Sequence, residues 1–310
     1  MAKDLNTMKI GVLGPGAIGS LLAVSLCKSG FDVSCFGSQR AADSILEHGV
    51  RLKSIFFGKS VVYPKCNPTS HSLLDLIFVT VKAPELGVSL EQVAPFVGPN
   101  TVIVTLLNGI GHREKIRKIF GHRVAVGVIG SVEVYLDKDR RVIHRSKVSP
   151  YIEIASDFDV APKVLSSISV ILKRCGFSVL IGANENKVIW NKLVRLAAIA
   201  TLTTYSQKNV GIIRSDARLR NLLEAIVQEL CLIAETQDVK HSIIEVMHQI
   251  DNLPGSLTTS LQRDVEAEKV SEFESILGEP LRLGRLCGIT MPVIEYCYSS
   301  ILARINTRSI

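Results

Sequence analysis

The chain has 310 residues, 47% of them hydrophobic and 21% charged, with a formal net charge of +7. This composition suits a soluble globular protein of two domains, since single cores stop growing near ~250–300 residues. Basic residues are spread along the chain and aromatics make up only 5%, which argues against nucleic-acid binding and leaves an anionic cofactor and a small anionic substrate as the partners a positive potential attracts.

Residues 1–7, MAKDLNT, contain no apolar signal core and read as a short disordered leader on a cytoplasmic protein. MKIGVLG is a short apolar strand, AIGSLLAVSLCKSG a helix stopped by Gly30, and FDVSCFG a second strand. LDLIFVTV (74–81) and TVIVTL (101–106) are continuous apolar strands, the pattern of a sheet covered on both faces. PELGVSLEQVAPFV between them is a helix with Pro84 in its first turn. This β-α-β-α order predicts an α/β Rossmann-type, doubly wound parallel sheet. From about residue 123, RVAVGVIG, EVYL, RRVIHR and YIEIA are expected to add antiparallel strands at the sheet edge. After about residue 183 strand signals nearly vanish, and helical spacing runs through 184–204, 220–237, 241–251, 258–277 and 281–305. The expected division is therefore a leader (1–7), a dinucleotide-binding domain (8–182) and an all-helical C-terminal domain (183–310). The longest apolar run, LLDLIFVTV, is broken at Asp75 and much too short to span a bilayer, so no membrane role is expected.

Seven cysteines, with no C-x-x-C pair, point to free thiols in a reducing compartment. The seven histidines show no zinc-ligand spacing, so no metal site is expected.

The glycines Gly14, Gly16 and Gly19 form G-x-G-x-x-G, with a strand before, a helix opening inside and a second strand about 20 residues on. In such a turn Gly14 permits the bend, Gly16 lets the backbone approach a pyrophosphate, and Gly19 lets helix and strand pack closely. Ala17 and Ile18 belong to the same cofactor-binding turn. An NAD site places Asp or Glu at the end of the second strand to hold the ribose 2′-hydroxyl. Here the strand ends in FGSQR. Ser38 and Arg40 suit a 2′-phosphate, so the expected cofactor is NADPH (NADP+); the alternative is that Arg40 merely opens the next helix on the surface.

Four further features are placed for chemistry. Lys82 in VTVKAPE and Asn108 in LLNGIG follow the ends of buried strands, where ligands bind in open α/β sheets. Lys82 also suits a helix cap, and Asn108 a turn before Gly109. Lys192 lies in an apolar helical stripe with Val188, Ile189 and Leu196. It either snorkels to water or is desolvated with a lowered pKa, as a proton donor needs. Ser260, Asp264 and Glu272 share one helix face if the helix over that segment is continuous, and they could be no more than a solvated acidic face.

Taken together, GVLGPGAIGS, VTVKAPE, LNGIG, WNKL, SLQRD…SE…G and GITMP resemble the ketopantoate reductase family (2-dehydropantoate 2-reductases) over nearly the whole chain. The resemblance implies a Rossmann domain followed by a helical one, an active site in the cleft between them, and NADPH-dependent reduction of ketopantoate to pantoate in pantothenate and coenzyme A biosynthesis. It implies that Lys192 is the general acid, that Glu272 holds the substrate hydroxyl and the lysine, and that Ser260 binds the substrate carboxylate. Asn108 and Lys82 are similar to residues near nicotinamide and substrate, and Lys82, Asn108 and Glu272 count among the cofactor contacts. Three positions depart from the family pattern: Leu196, Ala200 and Leu257 stand where asparagine is usual. A pocket built for a hydroxyl loses much without such groups, which leaves a bulkier or more apolar 2-oxo acid as an alternative acceptor. A non-catalytic NADP(H) sensor is the third reading, and the presence of both Lys192 and Glu272 counts against it. The apolar helical half could carry a homodimer interface, but burial within one chain accounts for it equally.

Overall fold

The computed structural model describes residues 5–70, 72–121 and 123–308. Two compact units emerge, one of residues 1–107 and 112–188, the other of residues 108–111 and 189–310. Residues 1–4 of the expected leader lie outside the described residues. Leu5–Thr7 form a 3-10 turn, in which Leu5 packs against the core.

The first unit begins with β1 (Lys9–Leu13), α1 (Ala17–Lys28), β2 (Asp32–Phe36) and α2 (Gln39–His48). A hairpin of β3 (Val50–Ser54) and β4 (Gly58–Val62) follows, then β5 (Lys65–Cys66), β6 (Leu74–Val79), α3 (Leu86–Val93), β7 (Val97–Thr105) and α4 (His112–Phe120). Next come β8 (Val124–Gly130), β9 (Val134–Leu136), β10 (Val142–His144), β11 (Tyr151–Ala155), α5 (Pro162–Arg174) and β12 (Ser178–Ile181). The main sheet has the order β12-β11-β8-β7-β6-β1-β2-β5. All its pairings are parallel except β8 with β11.

Continuous apolar strands form because both faces of this sheet are covered. In β6, Leu76 and Phe78 enter one apolar layer, whereas Ile77 and Val79 enter the other, as the two-residue period of a strand requires. Helix α5 buries Leu165, Ile168 and Leu172 on one stripe, the spacing of an amphipathic helix.

The expectation for residues after 123 needs correction. β8 is a parallel strand of the main sheet, and only β11 is added antiparallel. β9 and β10 instead join β3 and β4 in a separate sheet of order β4-β3-β10-β9. The hairpin partner, residues 50–62, carries little apolar signal because β4 is largely exposed. That is why these short strands could not be assigned to a second sheet from their own pattern.

Helix α6 (Glu185–Ser206) runs across the division between the units. Beyond it lie α7 (Val210–Ser215), α8 (Ala217–Glu235), α9 (Ile243–Asp251), α10 (Ser260–Glu266), α11 (Glu279–Leu286) and α12 (Pro292–Arg308). The fold is thus an N-terminal Rossmann-type sheet and a helical C-terminal region. Glu229 of α8 is buried and accepts hydrogen bonds from the backbone N–H groups of Val293 and Ile294 at 2.8 and 2.9 Å. It satisfies orphan donors in the first turn of α12.

The helix expected over 258–277 is not continuous. α10 ends at Glu266, and Glu268 adopts a left-handed φ of 55°. Lys269 N–H then closes onto the Asp264 carbonyl at 2.9 Å, a left-handed helix stop. Glu272 lies beyond this break, just before a π-helical turn at Glu274–Gly278 that runs into α11. Ser260, Asp264 and Glu272 therefore do not share one helix face. No helix among the described residues is long and apolar enough to cross a membrane.

Candidate active site

In the first unit, the loop after β1 is shaped by its three glycines. Gly14 has φ +93°, and a Cβ there would lie 2.5 Å from the Val81 side chain and 2.7 Å from its backbone nitrogen. A Cβ on Gly19 would fall 2.2 Å from the Gly14 carbonyl oxygen. At Gly16, the N-cap of α1, the nearest atom to such a Cβ is 4.0 Å away, so this side of the turn is open. Ala17 and Ile18 open α1, where backbone N–H groups lack intrahelical acceptors and favour negative charge. An open, glycine-lined helix N-terminus at the end of a parallel strand fits a dinucleotide pyrophosphate.

Sequence reasoning missed the support of this loop. The Thr80 hydroxyl donates to the Gly14 carbonyl at 2.8 Å and is also 3.0 Å from that of Leu13. Parallel pairing of β1 with β6 puts Thr80 there from 66 residues further along the chain.

At the end of β2, Ser38 caps α2 by accepting from Ala41 N–H. Ser38 and Arg40 are exposed. Gly37 is held by Asn67, whose side-chain oxygen accepts from Gly37 N–H and whose amide donates to Gly37 O, both at 3.0 Å. Gln92 donates to the same two oxygens at 3.0 and 2.9 Å. No motif marked Asn67 or Gln92, because each reaches the strand end from a distant segment. Lys82 is half-buried just past β6, at the entry to a 3-10 turn at Ala83–Glu85.

In the second unit, three of the sequence candidates meet. Lys192 Nζ donates to Asn108 Oδ1 at 2.6 Å, and Asn108 Nδ2 donates to Glu272 Oε2 at 2.9 Å. An ammonium only donates and a carboxylate only accepts, so the asparagine amide has one satisfying orientation. Lysine and glutamate are thus joined through Asn108 by these bonds. Burial among apolar neighbours pushes the Lys192 pKa down to about 8. Arg195 pushes the same way, and the Glu272 charge opposes them. Val188, Leu193 and Val194 on the same helix are at most 2% exposed. Lys192 itself is half-buried, and its partial desolvation favours the neutral amine.

The asparagine is placed by Gly109, which has φ +86°. A Cβ there would lie 2.1 Å from the Ser275 carbonyl oxygen in the π-helical turn. Ile110 N–H donates to that same oxygen at 3.2 Å, and Ser275 Oγ donates to Glu272 O at 3.1 Å. One turn therefore seats both the asparagine loop and the glutamate, and π-helical turns often occur at functional sites. Gly109→Ala is expected to lower stability by about 1–3 kcal/mol, from left-handed strain and a backbone clash, and to reduce turnover with it. An unfolding midpoint equal to wild type would contradict this packing.

Ser260 makes none of the hydrogen bonds of this group. It is exposed and is the first residue of α10, next to the cap Thr259. Thr259 shares a buried hydroxyl contact with Thr203 of α6 at 2.9 Å, which ties the start of α10 to the lysine's helix. Of the three departures from asparagine, Ala200 is fully buried, whereas Leu196 and Leu257 are half-buried.

An open glycine turn on a doubly wound sheet and a desolvated lysine with an asparagine–glutamate chain define a nicotinamide-dependent oxidoreductase acting on a CH–OH group. The chain matches the family model "Ketopantoate reductase PanE/ApbA" over residues 10–156 and its C-terminal model over residues 184–304, and it belongs to that family. It is 23% identical to "Uncharacterized oxidoreductase YkpB" of Bacillus subtilis, over 95% of this chain and 98% of that protein. It is 24% identical to the "2-dehydropantoate 2-reductase" of Lactococcus lactis, over 93% and 95% of the two chains. Among solved structures, D-mandelate dehydrogenase with NADH and anilino(oxo)acetate is similar with a TM-score of 0.87 at 21% identity, covering 98% of this chain and all of that one.

Proposed function

We propose that the protein reduces a 2-oxo acid to a 2-hydroxy acid with NADPH, and that ketopantoate is the leading substrate. The observation that carries this reading is the chain Lys192–Asn108–Glu272, with the lysine pKa pushed down to about 8. The bound cofactor supplies the hydride. Lys192 supplies what the accepting carbonyl then needs. As negative charge develops on the carbonyl oxygen, the ammonium stabilises it and donates its proton. Asn108 aims the ammonium, and Glu272 fixes the amide and accepts from a substrate hydroxyl. Ser260 binds the substrate carboxylate, and Lys82 lies on the cofactor side. Gly14, Gly16, Ala17, Ile18 and Gly19 hold the pyrophosphate. Ser38 and Arg40 receive the 2′-phosphate, a role supported by their exposure and by the lack of an acid at the strand end. The seven free cysteines support a reducing compartment such as the cytoplasm.

A second reading concerns the acceptor alone. Leu196 and Leu257 are half-buried and apolar, which favours a bulkier or more apolar 2-oxo acid over ketopantoate. D-mandelate dehydrogenase, the aryl-named neighbour, shares the fold. The test follows NADPH absorbance with ketopantoate and with smaller and bulkier 2-oxo acids, using NADH as the control. Robust turnover of ketopantoate supports the leading reading, and turnover only of bulkier acids supports the second. NADPH binding without turnover of any of them would sink both.

Replacing Arg40 with Ala is expected to weaken NADPH by about tenfold or more while leaving NADH nearly unchanged, the value of one charge-assisted contact. Equal losses for both cofactors would remove the 2′-phosphate assignment.

A further inference from the structure

Arg140 was not marked by any sequence motif. It sits in the turn between β9 and β10, within the same compact unit as the glycine loop. The turn is built by Asp137. Its carboxylate accepts from Asp139 N–H at 3.0 Å, from Arg141 N–H at 2.9 Å and from Arg141 Nε at 2.8 Å. Arg140 N–H closes onto the Asp137 carbonyl at 3.0 Å, with Arg140 at φ +56°.

The other arginines of this corner are used by the turn itself. Arg141 pairs with Asp137 and Asp139, and Arg51 donates to the Asp139 carbonyl. Arg140 instead reaches away from the turn. Its Nη2 donates to the Pro15 carbonyl in the glycine loop at 3.3 Å. The side chain is half-buried, and no carboxylate among the described residues pairs with it or with Arg40. A Cβ on Gly37 would lie 2.7 Å from the Pro15 ring, so Pro15, and Arg140 with it, sits at the strand end that leads into Arg40. Burial first, and then the Arg40 charge, push the Arg140 pKa down. Arg140 is a partly buried cation with no carboxylate partner, a state that an anion held beside it relieves. A phosphate monoester, carrying roughly −1.5 to −2 charges, is such an anion.

We propose that Arg140 joins Arg40 in a two-guanidinium clamp for the 2′-phosphate on the adenosine ribose of NADPH, delivered from the small sheet to the mouth of the glycine loop. The inference rests on the reading that NADPH is the cofactor. It gives the β3-β4-β10-β9 sheet a role in cofactor choice, with the Asp137 turn as the device that positions the second cation.

The experiment measures dissociation constants by calorimetry for NADPH, NADH, 2′,5′-ADP and 5′-ADP. The proteins are the full-length wild type, Arg40→Ala, Arg140→Ala and Arg140→Lys. Arg140→Ala should weaken NADPH and 2′,5′-ADP by about tenfold or more, with NADH and 5′-ADP within about twofold of wild type. Arg140→Lys, which keeps the charge but loses the fork, should fall between the two. Unchanged NADH binding shows that the variant is folded. Equal weakening of NADPH and NADH would place Arg140 on the diphosphate or in the fold and overturn the clamp, as would no weakening. A wild type that prefers NADPH, beside an Arg140→Ala variant that keeps the full preference, overturns the clamp alone. A wild type with no preference overturns the cofactor reading, and the clamp with it.

Discussion

Lys192→Ala is expected to lose about 100- to 10,000-fold in turnover, the range for a positioned general acid. NADPH affinity should change little, because the glycine loop and Arg40 belong to the other compact unit. The loss has two sources. The variant has no proton to donate, and the oxyanion that forms on the carbonyl has no cation beside it. Asn108→Ala should show a smaller fall, since the lysine keeps its proton but loses its aim; its Nζ–Oδ1 contact is 2.6 Å. Steady-state kinetics with the best substrate of the panel checks both. Wild-type turnover in Lys192→Ala would remove the proposed proton donor.

The largest expected effect on stability falls at Glu185, whose side chain is completely buried. Its two oxygens accept from Arg117 Nη2 at 2.6 Å and Arg113 Nη1 at 3.2 Å. Its backbone N–H donates to Asp157 at 2.9 Å, and Asp157 N–H donates back to the Glu185 carboxylate at 3.2 Å. These bonds fasten α4 to the first turn of α6. Glu185→Gln keeps the shape but leaves two arginines short of a buried counter-charge, a change that costs about 3–5 kcal/mol in comparable sites. Arg117 keeps Asp159 at 2.7 Å, and Arg113 keeps Glu114, so the lower end, about 3 kcal/mol, is expected. Chemical unfolding followed in the Rossmann unit checks this, and a midpoint unchanged from wild type would show that the network is not needed.

Buried strands were legible in sequence as strands, but the direction of β8, which is buried and parallel, was not. β1, β6 and β7 are continuous apolar runs, and Gly14, Gly16 and Gly19 mark the turn between the first strand and its helix. The small sheet was not legible as such, because β9 and β10 are three residues each and their partner strands are half-exposed. The chemistry was legible as residue types in local context. Lys192 is conspicuous in an apolar stripe, and Asn108 stands at a strand end. What sequence could not supply was how they connect. Glu272 was placed on a helix face with Ser260, but the left-handed Glu268 and the π-helical turn send it instead to Asn108. Periodicity carries no signal for such a break, since it depends on a backbone angle at one glutamate. Arg140 and Thr80 were invisible for a related reason: each acts on a loop more than 60 residues away in sequence.

The central claim is that a desolvated Lys192 donates the proton, and the pH dependence of kcat/KM for 2-oxo acid reduction tests it most directly. With the lysine pKa pushed down to about 8, the proton donor is present below that pH and is lost above it. The account predicts a flat profile from pH 6 to about 7.5 and a fall approaching tenfold per pH unit above about 8. Oxidation of the hydroxy acid should rise over the same window, because that direction needs the neutral amine. A reduction rate that stays constant to pH 10 would mean that the lysine keeps an ordinary pKa or takes no part, and would contradict the account.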